Sequence, residues 1–487
     1  MRILFVSSEA YPLIKTGGLA DVSGSLPAAL RALGADVRLL IPGYSAVLNN
    51  LLNCRQVAVI DHLPLVGSVT LIQGEMPDTG VPVLAISCPS LYQRSGGPYV
   101  DTGGREWEDN PLRFGILSRV AALLGCSDSP LANWIPDIVH CNDWQSGLTP
   151  AFMHFMRAGR TEFRQAKSML SIHNILFQGN YSVDWIGRLG LPTASYHING
   201  VEYYGQLSFL KAGVFYADVL TTVSPTYAKE IQTEEYGFGM HGLLTDRGHE
   251  LYGILNGIDT QEWNPAKDPH LCKGYDSKRL DGKKAVKKAL QARLGLDDDA
   301  EAPLLGVVSR LTHQKGLDML SAVAEPLLLQ GCQIAVLGSG EAALEQSFTD
   351  LALRYPRQVS ATIGYNEPLS HQIMAGADIF IMPSRFEPCG LNQMYGLRYG
   401  TPPVVTRTGG LADSVQDSNE TSLENGTATG FVMDAVEPHQ LFSSIERALT
   451  CYRDPKIWRK IQHNGMRLDL SWVHSAKAYL DIYASLI

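Results

Sequence analysis

Residues 3–41 read ILFVSSEAYPLIKTGGLADVSGSLPAALRALGADVRLLI. The apolar run Ile3–Ser7 predicts a buried strand, and the pattern from about Gly18 to Leu33 predicts a helix that ends at Gly34. The apolar run Val37–Ile41 predicts the next strand. A strand, a crossover helix and a second strand form a βαβ unit, which is the building block of a parallel sheet.

The same alternation continues along the chain, which has 487 residues and is too long for a single core. The sequence therefore predicts an α/β protein with two Rossmann-like, doubly wound domains facing a deep cleft, because ligands bind beyond the carboxyl ends of parallel strands. The predicted domains are residues 1–250 and 251–470. A helix over 471–487 needs an apolar surface to pack on, and the N-terminal domain is one candidate. Further strands are predicted at Thr70–Gln73, Val83–Ser87, Ile138–Cys141, Met169–Ile172, Val219–Val223, Leu304–Ser309, Gln333–Leu337, Val359–Ile363, Ile379–Met382, Val404–Thr406 and Gly430–Met433.

Composition and charge exclude several classes of protein. The formal net charge of −9 and the pI of about 5.8 argue against a general nucleic-acid or anionic-membrane surface. The eight cysteines form no Cys-x-x-Cys pair, which argues against a zinc site and favours reduced thiols. No apolar run is long enough for a signal-peptide core or a membrane span, so we expect a soluble, cytoplasmic protein. The sequence makes no prediction about oligomeric state.

One basic segment, Lys278–Arg293, contains seven basic residues and has a helical pattern. We interpret it as a solvated helix face and not as a binding surface, because runs of like charge on a helix usually face water. Anionic small molecules remain possible ligands elsewhere, since local lysines and helix N-termini bind phosphate even in an acidic protein.

A short near-repeat links the two predicted domains. The sequence Thr-Gly-Gly-Leu-Ala-Asp occurs at residues 16–21 after Lys15 and again at residues 408–413 after Arg407. Paired glycines at the start of a helix let a ligand approach backbone N–H groups, where the helix dipole favours negative charge. The alternative is a glycine pair that only permits close packing. Two copies beside a cation favour a cradle for an anion or a polyol.

Two cations follow a predicted strand of the second domain. Arg310 and Lys315 lie in the loop after Leu304–Ser309, five residues apart and just before Gly316. Cations at the carboxyl end of a strand can hold a diphosphate and stabilise it as a leaving group. The alternative is that both cations are simply exposed and bind no ligand. The position at a strand end and Gly316 argue against this alternative.

A carboxylate follows the next strand of that domain. Glu387 lies within Pro383–Leu391, after the apolar run Ile379–Met382. A carboxylate beside proline and glycine at a helix start suits hydrogen bonding to sugar hydroxyls. An acid that only favours the helix dipole explains the residue equally well.

A glycine motif, Gly338-Ser-Gly340-Glu-Ala-Ala343, matches the G-x-G-x-x-A form of dinucleotide sites. The match is isolated and lies in the middle of its domain. We interpret it as a tight strand–helix turn that borders a nucleotide, and an NAD site is the weaker alternative.

Polar residues also end two strands of the first domain. Asp143 follows His140-Cys-Asn, and His173-Asn174 follows the run 168–172. A lone histidine is usually structural. Because these groups and Lys15 all lie at strand ends, they are expected to meet at one rim and form a site.

Taken together, these motifs resemble those of bacterial glycogen synthases, which are close to plant starch synthases, over nearly the whole chain. The residues that carry the resemblance are Lys15–Val22, Tyr99, His140–Trp144, His173-Asn174, Phe209–Gly213, Ser224–Tyr227, Asn256-Gly257, Ser309–Gly316, Pro383–Leu391 and Thr408–Asp413. The resemblance implies a two-domain GT-B glycosyltransferase that closes on ADP-glucose, as co-substrate, and an α-1,4-glucan acceptor such as glycogen or a maltooligosaccharide. It also implies retention of the anomeric configuration, with no bound metal and no further cofactor.

The resemblance also implies a role for each matching residue. The expected catalytic residues are Lys15, Asp143, His173, Arg310, Lys315 and Glu387. Expected substrate-binding residues are Lys15, Gly18, Tyr99, Asn174, Asn256, Tyr365, Cys389, Gly390, Leu391, Thr408, Gly409 and Gly410. By analogy, Arg310 and Lys315 meet the diphosphate, and Lys15 joins them from the facing domain. Glu387 and the residues after it hold glucose hydroxyls, Tyr365 borders the adenine, and Thr408–Gly410 meet the ribose and distal phosphate. Asp143 and Tyr99 lie nearer the acceptor.

The sequence departs from related enzymes in two places. Retaining transferases often have a second glutamate eight residues after the first, where this chain has Tyr395, a substitution shared by synthases of this branch. Asn142 replaces the histidine of the commoner His-Ala-His-Asp form, which leaves its contribution open. With no second carboxylate for the reacting face, we expect a front-face displacement. A nucleotide-sugar epimerase of the same fold and a catalytically silent glucan-binding homologue are the alternatives.

Overall fold

The computed structural model describes residues 1–131, 133–158, 160, 163 and 165–487. The chain divides into two units, of which the first comprises Met1–Gly257 with Trp472–Ile487 and the second comprises Ile258–Ser471. The predicted boundary after residue 250 lies too early, because the strand Leu251–Gly253 pairs with Val219–Thr222 in the sheet of the first unit.

Strands and helices alternate along both units. The strands are β1 (Arg2–Val6), β2 (Asp36–Pro42), β3 (Leu52–Leu63), β4 (Gly67–Glu75), β5 (Pro82–Ser87), β6 (Ile138–Asn142), β7 (Lys167–Ile172), β8 (Asn180–Tyr181), β9 (Glu202–Tyr203), β10 (Gln206–Ser208), β11 (Val219–Thr222), β12 (Leu251–Gly253), β13 (Leu304–Val308), β14 (Gln333–Gly338), β15 (Val359–Ile363), β16 (Ile379–Met382), β17 (Pro403–Thr406) and β18 (Phe431–Met433). The α-helices are α1 (Gly18–Ala32), α2 (Ser45–Asn50), α3 (Pro89–Tyr92), α4 (Asn110–Leu124), α5 (Leu148–Arg157), α6 (Trp185–Arg188), α7 (Phe209–Tyr216), α8 (Pro225–Glu230), α9 (His241–Asp246), α10 (Asp281–Leu294), α11 (Leu317–Leu329), α12 (Ala342–Arg354), α13 (Glu367–Gly376), α14 (Asn392–Arg398), α15 (Gly409–Ser414), α16 (Glu420–Asn425), α17 (Pro438–Tyr452), α18 (Pro455–Arg467) and α19 (Trp472–Leu486). In the part of the chain that the structure describes, no helix combines the length and apolarity needed to cross a bilayer.

The first unit contains a sheet in the order β12-β11-β7-β6-β1-β2-β5-β4-β3. The strands from β12 to β5 run parallel, and β4 and β3 add an antiparallel edge. Ile3–Val6 of β1 are fully buried, as expected for a parallel strand covered by helices on both faces. The chain proceeds outward from β1 in both directions, so the strand order reverses between β1 and β6. Ligands bind at the carboxyl ends of such a switch point.

The second unit contains a fully parallel sheet in the order β15-β14-β13-β16-β17-β18. In chain order within the unit this is the Rossmann arrangement 3-2-1-4-5-6, and its switch point lies between β13 and β16. The predicted α/β class with parallel sheets in two domains is confirmed.

The C-terminal helix α19 belongs to the first unit. It packs against α1, and the Tyr483 hydroxyl lies 2.7 Å from Nδ1 of His140 on β6. The other ring nitrogen of His140, Nε2, lies 2.6 Å from the Ser171 hydroxyl. Burial lowers the pKa of His140 to about 3, so the ring is neutral and its donor and acceptor are both satisfied by hydroxyls.

The expectation of a solvated face for the basic helix α10 is wrong for two of its lysines. Lys283 is buried and donates from Nζ to the Ala375 carbonyl at 2.8 Å and to the Thr401 hydroxyl at 2.6 Å. Lys287, one turn later, is also buried and forms an ion pair of 2.8 Å with Asp378. Desolvation lowers the pKa of Lys283 to about 7. These two lysines on one face of α10 therefore help attach the helix to the second unit.

Replacing the hydroxyl that pairs with His140 tests the attachment of α19. Tyr483→Phe leaves a buried ring nitrogen without its partner, so we expect the free energy of unfolding to fall by about 1–2 kcal/mol. Tyr252→Phe, at a ring that is 45% exposed, is the matched control. The measurement is urea unfolding of the three proteins, and equal midpoints for both variants would show that this hydrogen bond does not stabilise the fold.

Candidate active site

An ion pair occupies the switch point of the second unit. Lys315, after β13, donates from Nζ to Oε2 of Glu387, after β16, at 2.5 Å. The two side chains are only 14% and 8% exposed. The Ser384 hydroxyl donates to the same carboxylate oxygen at 3.0 Å. Arg310, at the end of β13, is exposed beside this loop, so the predicted cations and the predicted carboxylate lie at one end of one sheet.

Backbone contacts hold the two loops of the ion pair together. The Arg385 amide donates to the Gln314 carbonyl at 2.8 Å, and the Arg385 guanidinium pairs with Asp318 at 2.7 Å. Gly316 has φ +66°, and a Cβ placed there would lie 2.0 Å from the Pro383 carbonyl oxygen. The glycine is therefore required both by its conformation and by the close approach of the second loop.

Helix α14 holds the segment that follows Glu387. The buried Gln393 amide donates to the carbonyls of Cys389 and Gly390 at 3.1 and 3.0 Å. Gly390 has φ +68°, which favours glycine. Leu391 comes directly before α14. These contacts fix the backbone at the three residues predicted to meet the glucose hydroxyls.

The two copies of the Thr-Gly-Gly-Leu-Ala-Asp sequence differ in what their glycines face. A Cβ on Gly17 or Gly18 would meet nothing within 4 Å. In the second copy, a Cβ on Gly409 would lie 2.0 Å from the Glu387 carbonyl oxygen, and one on Gly410 would lie 2.2 Å from that of Cys389. Close packing on the Glu387 loop therefore accounts for the second pair, while the first pair is open to an approaching group.

The glycine motif at 338–343 also has a packing explanation. A Cβ on Gly338 would lie 1.8 Å from the Ser309 carbonyl oxygen, and one on Gly340 would lie 2.3 Å from that of Leu311. The two glycines let the loop after β14 lie against the loop that carries Arg310. They position the cation loop instead of forming a separate dinucleotide site.

Three other predicted residues occupy different surroundings. Tyr365 is 77% exposed in the second unit and its hydroxyl donates to Glu367. Thr408 is buried directly before α15. Asn256 is buried at the end of the first unit, and its Oδ1 has no hydrogen-bond partner among the residues that the structure describes.

The switch point of the first unit contains a carboxylate that sequence reasoning missed. Glu9 is 3% exposed, and its Oε2 accepts the backbone N–H groups of Thr16 and Gly17 at 2.5 and 3.1 Å. The Tyr99 hydroxyl donates to its Oε1 at 2.7 Å. Burial raises the pKa of Glu9 in spite of these bonds. Its place just after β1, at the reversal of strand order, is the signal that could have revealed it.

Lys15 lies in the loop that Glu9 holds. Its Nζ forms an ion pair of 2.7 Å with Asp21 and lies 5.3 Å from the centre of the Tyr11 ring. Because Glu9 accepts two of the loop's amides, the loop is ordered by the protein's own carboxylate. Glu9 thereby connects the loop of Lys15 with Tyr99, a link that the sequence did not predict.

Asp143 joins the strand ends of β6 and β7. Its φ of 55° is unusual for a residue with a side chain, and its Oδ1 accepts the amides of His173 and Asn174 at 2.7 and 3.3 Å. The Nε2 atom of His173 lies 2.9 Å from Oδ1 of Asn142, which gives Asn142 a positioning contact. Burial lowers the pKa of His173 to about 4, so the ring is neutral at pH 7. Asp143, His173 and Asn174 therefore form one cluster.

Chemically, the two units differ. The second unit offers two cations and a buried carboxylate, which suit a sugar phosphate. The first unit offers a neutral imidazole and the Tyr99 hydroxyl, which suit neutral sugar groups, and a cation, Lys15. Within the described ranges, no three His, Cys, Asp or Glu side chains form a group that could hold a metal ion.

The buried Asp143 carboxyl gives a prediction about stability and pH. Burial raises its pKa from 3.8 to about 7, more than the amide hydrogen bonds lower it. Between these values the unfolded chain ionises the carboxyl and the folded chain does not, so the stability that Asp143 contributes falls as the pH rises from about 4 to 7. Asp143→Asn keeps an acceptor for the two amides and cannot ionise. We expect its melting temperature to match that of the wild type near pH 4 and to exceed it by about 2 °C or more at pH 8. A difference in melting temperature that is the same at pH 4 and pH 8 would contradict the raised pKa of Asp143.

Comparisons with known proteins identify the family of the chain. Residues 2–246 match the family model described as starch synthase catalytic domain, and residues 286–464 match glycosyl transferases group 1. The chain is 51% identical to a glycogen synthase of Nitrosomonas eutropha, covering 100% of this chain and 96% of that protein. It is 50% identical to a glycogen synthase of Nitrosomonas europaea, covering 100% and 98%.

Solved structures show the same fold. The catalytic domain of starch synthase IV from Arabidopsis thaliana, bound to ADP and acarbose, matches with a TM-score of 0.89 and 31% identity, covering 99% of this chain and 98% of that one. A sucrose-phosphate synthase from Thermosynechococcus elongatus matches with a TM-score of 0.59 at 16% identity, covering 100% and 98%, which shows the shared GT-B fold alone. The chain belongs to the glycogen and starch synthase family of hexosyltransferases.

Proposed function

We propose that the protein extends an α-1,4-glucan, by transferring glucose from ADP-glucose to the non-reducing end with retention of configuration. The observation that carries the proposal is the Lys315–Glu387 pair at the switch point of the second unit, beside Arg310. It combines a phosphate-binding cation with a carboxylate suited to sugar hydroxyls, which are the two chemical halves of a nucleotide sugar. The ADP and acarbose bound to the Arabidopsis relative support both the donor base and a glucan-like acceptor.

On the donor side, Lys315 exchanges its partner. In the structure its ammonium pairs with Glu387. When the diphosphate binds, Lys315 turns to a phosphate oxygen together with Arg310, and Glu387 is left to accept hydroxyls of the glucose. The diphosphate gains charge as it departs, so two fixed cations stabilise the transition state more than the ground state.

The first unit serves the reacting carbon and the acceptor. The bond between glucose C1 and the phosphate oxygen breaks, and a new bond forms on the same face from the acceptor 4-hydroxyl to C1. The hydroxyl proton passes to the departing phosphate oxygen. The loop of His173 and Asn174, held by Asp143, supplies neutral polar groups that favour the oxocarbenium-like glucose. Glu9 positions Tyr99, which lies nearer the acceptor, and the loop of Lys15, which joins the cations at the diphosphate.

We propose that no resident metal or further cofactor takes part, since Arg310 and Lys315 supply the positive charge that a cation supplies to phosphates in other enzymes. We also propose that the protein acts in the cytoplasm. The eight cysteines are all free thiols, which suits a reducing compartment.

The proposal is tested by incubating the protein with glycogen and radiolabelled ADP-glucose or UDP-glucose, with and without EDTA. We expect glucose incorporation from ADP-glucose, the same rate in EDTA, and an α-1,4 linkage in the product. Lys315→Ala should lower the rate by about 10²-fold or more, because it removes a group that stabilises the departing diphosphate.

Lys288→Ala is the matched control, since Lys288 is 71% exposed on the surface and pairs with an exposed aspartate, Asp298. Its rate should equal that of the wild type. Isomerised nucleotide sugar without glucan product would indicate an epimerase. Glycogen binding without incorporation from either donor would indicate a silent homologue, and a β-linked product would overturn the retaining mechanism.

A further inference from the structure

A strained turn in the first unit carries an exposed aromatic ring. Strands β9 and β10 form a hairpin whose two turn residues are Tyr204, with φ 47°, and Gly205, with φ 78°. Positive φ at both positions is the type I′ geometry, in which asparagine or aspartate followed by glycine is favoured. A tyrosine at the first position is conformationally unfavourable. Its ring contacts the Tyr203 ring edge to face, with the ring centres 4.7 Å apart, yet the residue as a whole stays 80% exposed.

A second aromatic residue repeats this pattern next to the first. Phe238 has φ 46°, is followed by Gly239 with φ 88°, and has a side chain that is 36% exposed. A Cβ placed on Gly239 would lie 3.4 Å from Cε2 of Tyr204, so the two turns are in contact. Two neighbouring aromatic residues are thus held in the left-handed region, each before a glycine.

Hydrogen bonds hold the second turn in place. The Phe238 carbonyl accepts the Tyr203 hydroxyl at 2.8 Å and the Gln178 side-chain amide at 3.0 Å. The first turn is held by Glu202, whose Oε1 accepts the Gly205 amide at 2.8 Å. Strain that the surrounding structure maintains in this way is typical of ligand-contacting segments.

The position of this surface indicates its ligand. Gln178 lies on the loop that begins at Asn174, and that loop is attached to Asp143 at the strand ends of the first unit. The surface is therefore continuous with the segment that we assign to the sugar. Its aromatic rings and its amide carry no charge, and the Glu202 carboxylate of the first turn disfavours an anion, so the surface suits a neutral polymer and not a nucleotide.

We infer that Tyr204 and Phe238 form a stacking platform for glucose units of the glucan acceptor beyond its reacting end. The C–H face of a pyranose ring is apolar and covers an aromatic face, while its hydroxyls stay in water. The platform binds long chains such as glycogen and does not contact the reacting glucose or the donor. The inference depends on the proposed function only in that the acceptor is an α-glucan.

The test uses substitutions that relieve strain while removing the ring. Tyr204→Asn and Phe238→Asn each place asparagine before glycine, which the turn favours. We expect melting temperatures equal to or above that of the wild type. We also expect the KM for glycogen to rise by about fivefold to tenfold, the loss of one good aromatic contact. The KM for ADP-glucose and the rate with maltotriose should not change.

Leu65→Asn is the matched control, because Leu65 is also exposed (59%) with a positive φ of 64° in a turn of the first unit. It should leave the KM for glycogen unchanged. Mobility in native gels containing glycogen measures binding without catalysis, so a failure of the proposed function is distinguishable from a failure of this inference.

The inference predicts weaker retardation by glycogen for both aromatic variants and unchanged retardation for Leu65→Asn. Retardation and glycogen KM equal to those of the wild type would overturn it, as would equal losses with glycogen and maltotriose. A wild type that is dimeric and variants that are monomeric, with glycogen retardation unchanged, would show that the surface binds a second copy instead.

Discussion

The ion pair between Lys315 and Glu387 is the interaction on which the candidate site depends. Both side chains are largely buried, so each charge relies on the other and on the Ser384 hydroxyl for stabilisation. The loop carrying each charge is held by backbone contacts and by Gly316. Removing one partner of a buried pair typically costs about 3–5 kcal/mol, because the other is left without compensation. A phosphate can replace Glu387 as the partner of Lys315, and the Ser384 hydroxyl and the glucose hydroxyls then serve as the hydrogen-bond donors to the carboxylate.

Buried carboxylates also stabilise the first unit. There each carboxylate accepts backbone amides of a loop and, among the residues that the structure describes, does not pair with a cation. Glu9 accepts amides that would otherwise be available at the start of a helix, and so holds the open glycines Gly17 and Gly18 in place. Asp143 does the same for the loop of His173 and Asn174. In both units the reversal of strand order brings these polar groups together, which is why one fold serves both sites.

Much of the architecture was predictable because parallel strands covered on both faces are continuous apolar runs. The predicted strands Val359–Ile363 and Ile379–Met382 agree with the structure residue for residue. The burial of Lys283 and Lys287 was not predictable, because it depends on carbonyls, hydroxyls and an acid that lie 13 to 165 residues away in the chain. Nor could identical glycine sequences reveal that one pair packs on a neighbouring loop while the other stays open, since only the fold supplies that neighbour. The assignment of individual residues to donor and acceptor stays a prediction.

Calorimetric titration of ADP into the wild type and Glu387→Gln measures whether Lys315 exchanges Glu387 for a phosphate. The glutamine keeps the size and an acceptor oxygen but lacks the negative charge that pairs with Lys315. We expect the variant to bind ADP more tightly than the wild type, by about fivefold, which corresponds to about 1 kcal/mol. ADP binding that is equal or weaker in Glu387→Gln would contradict this exchange of partners.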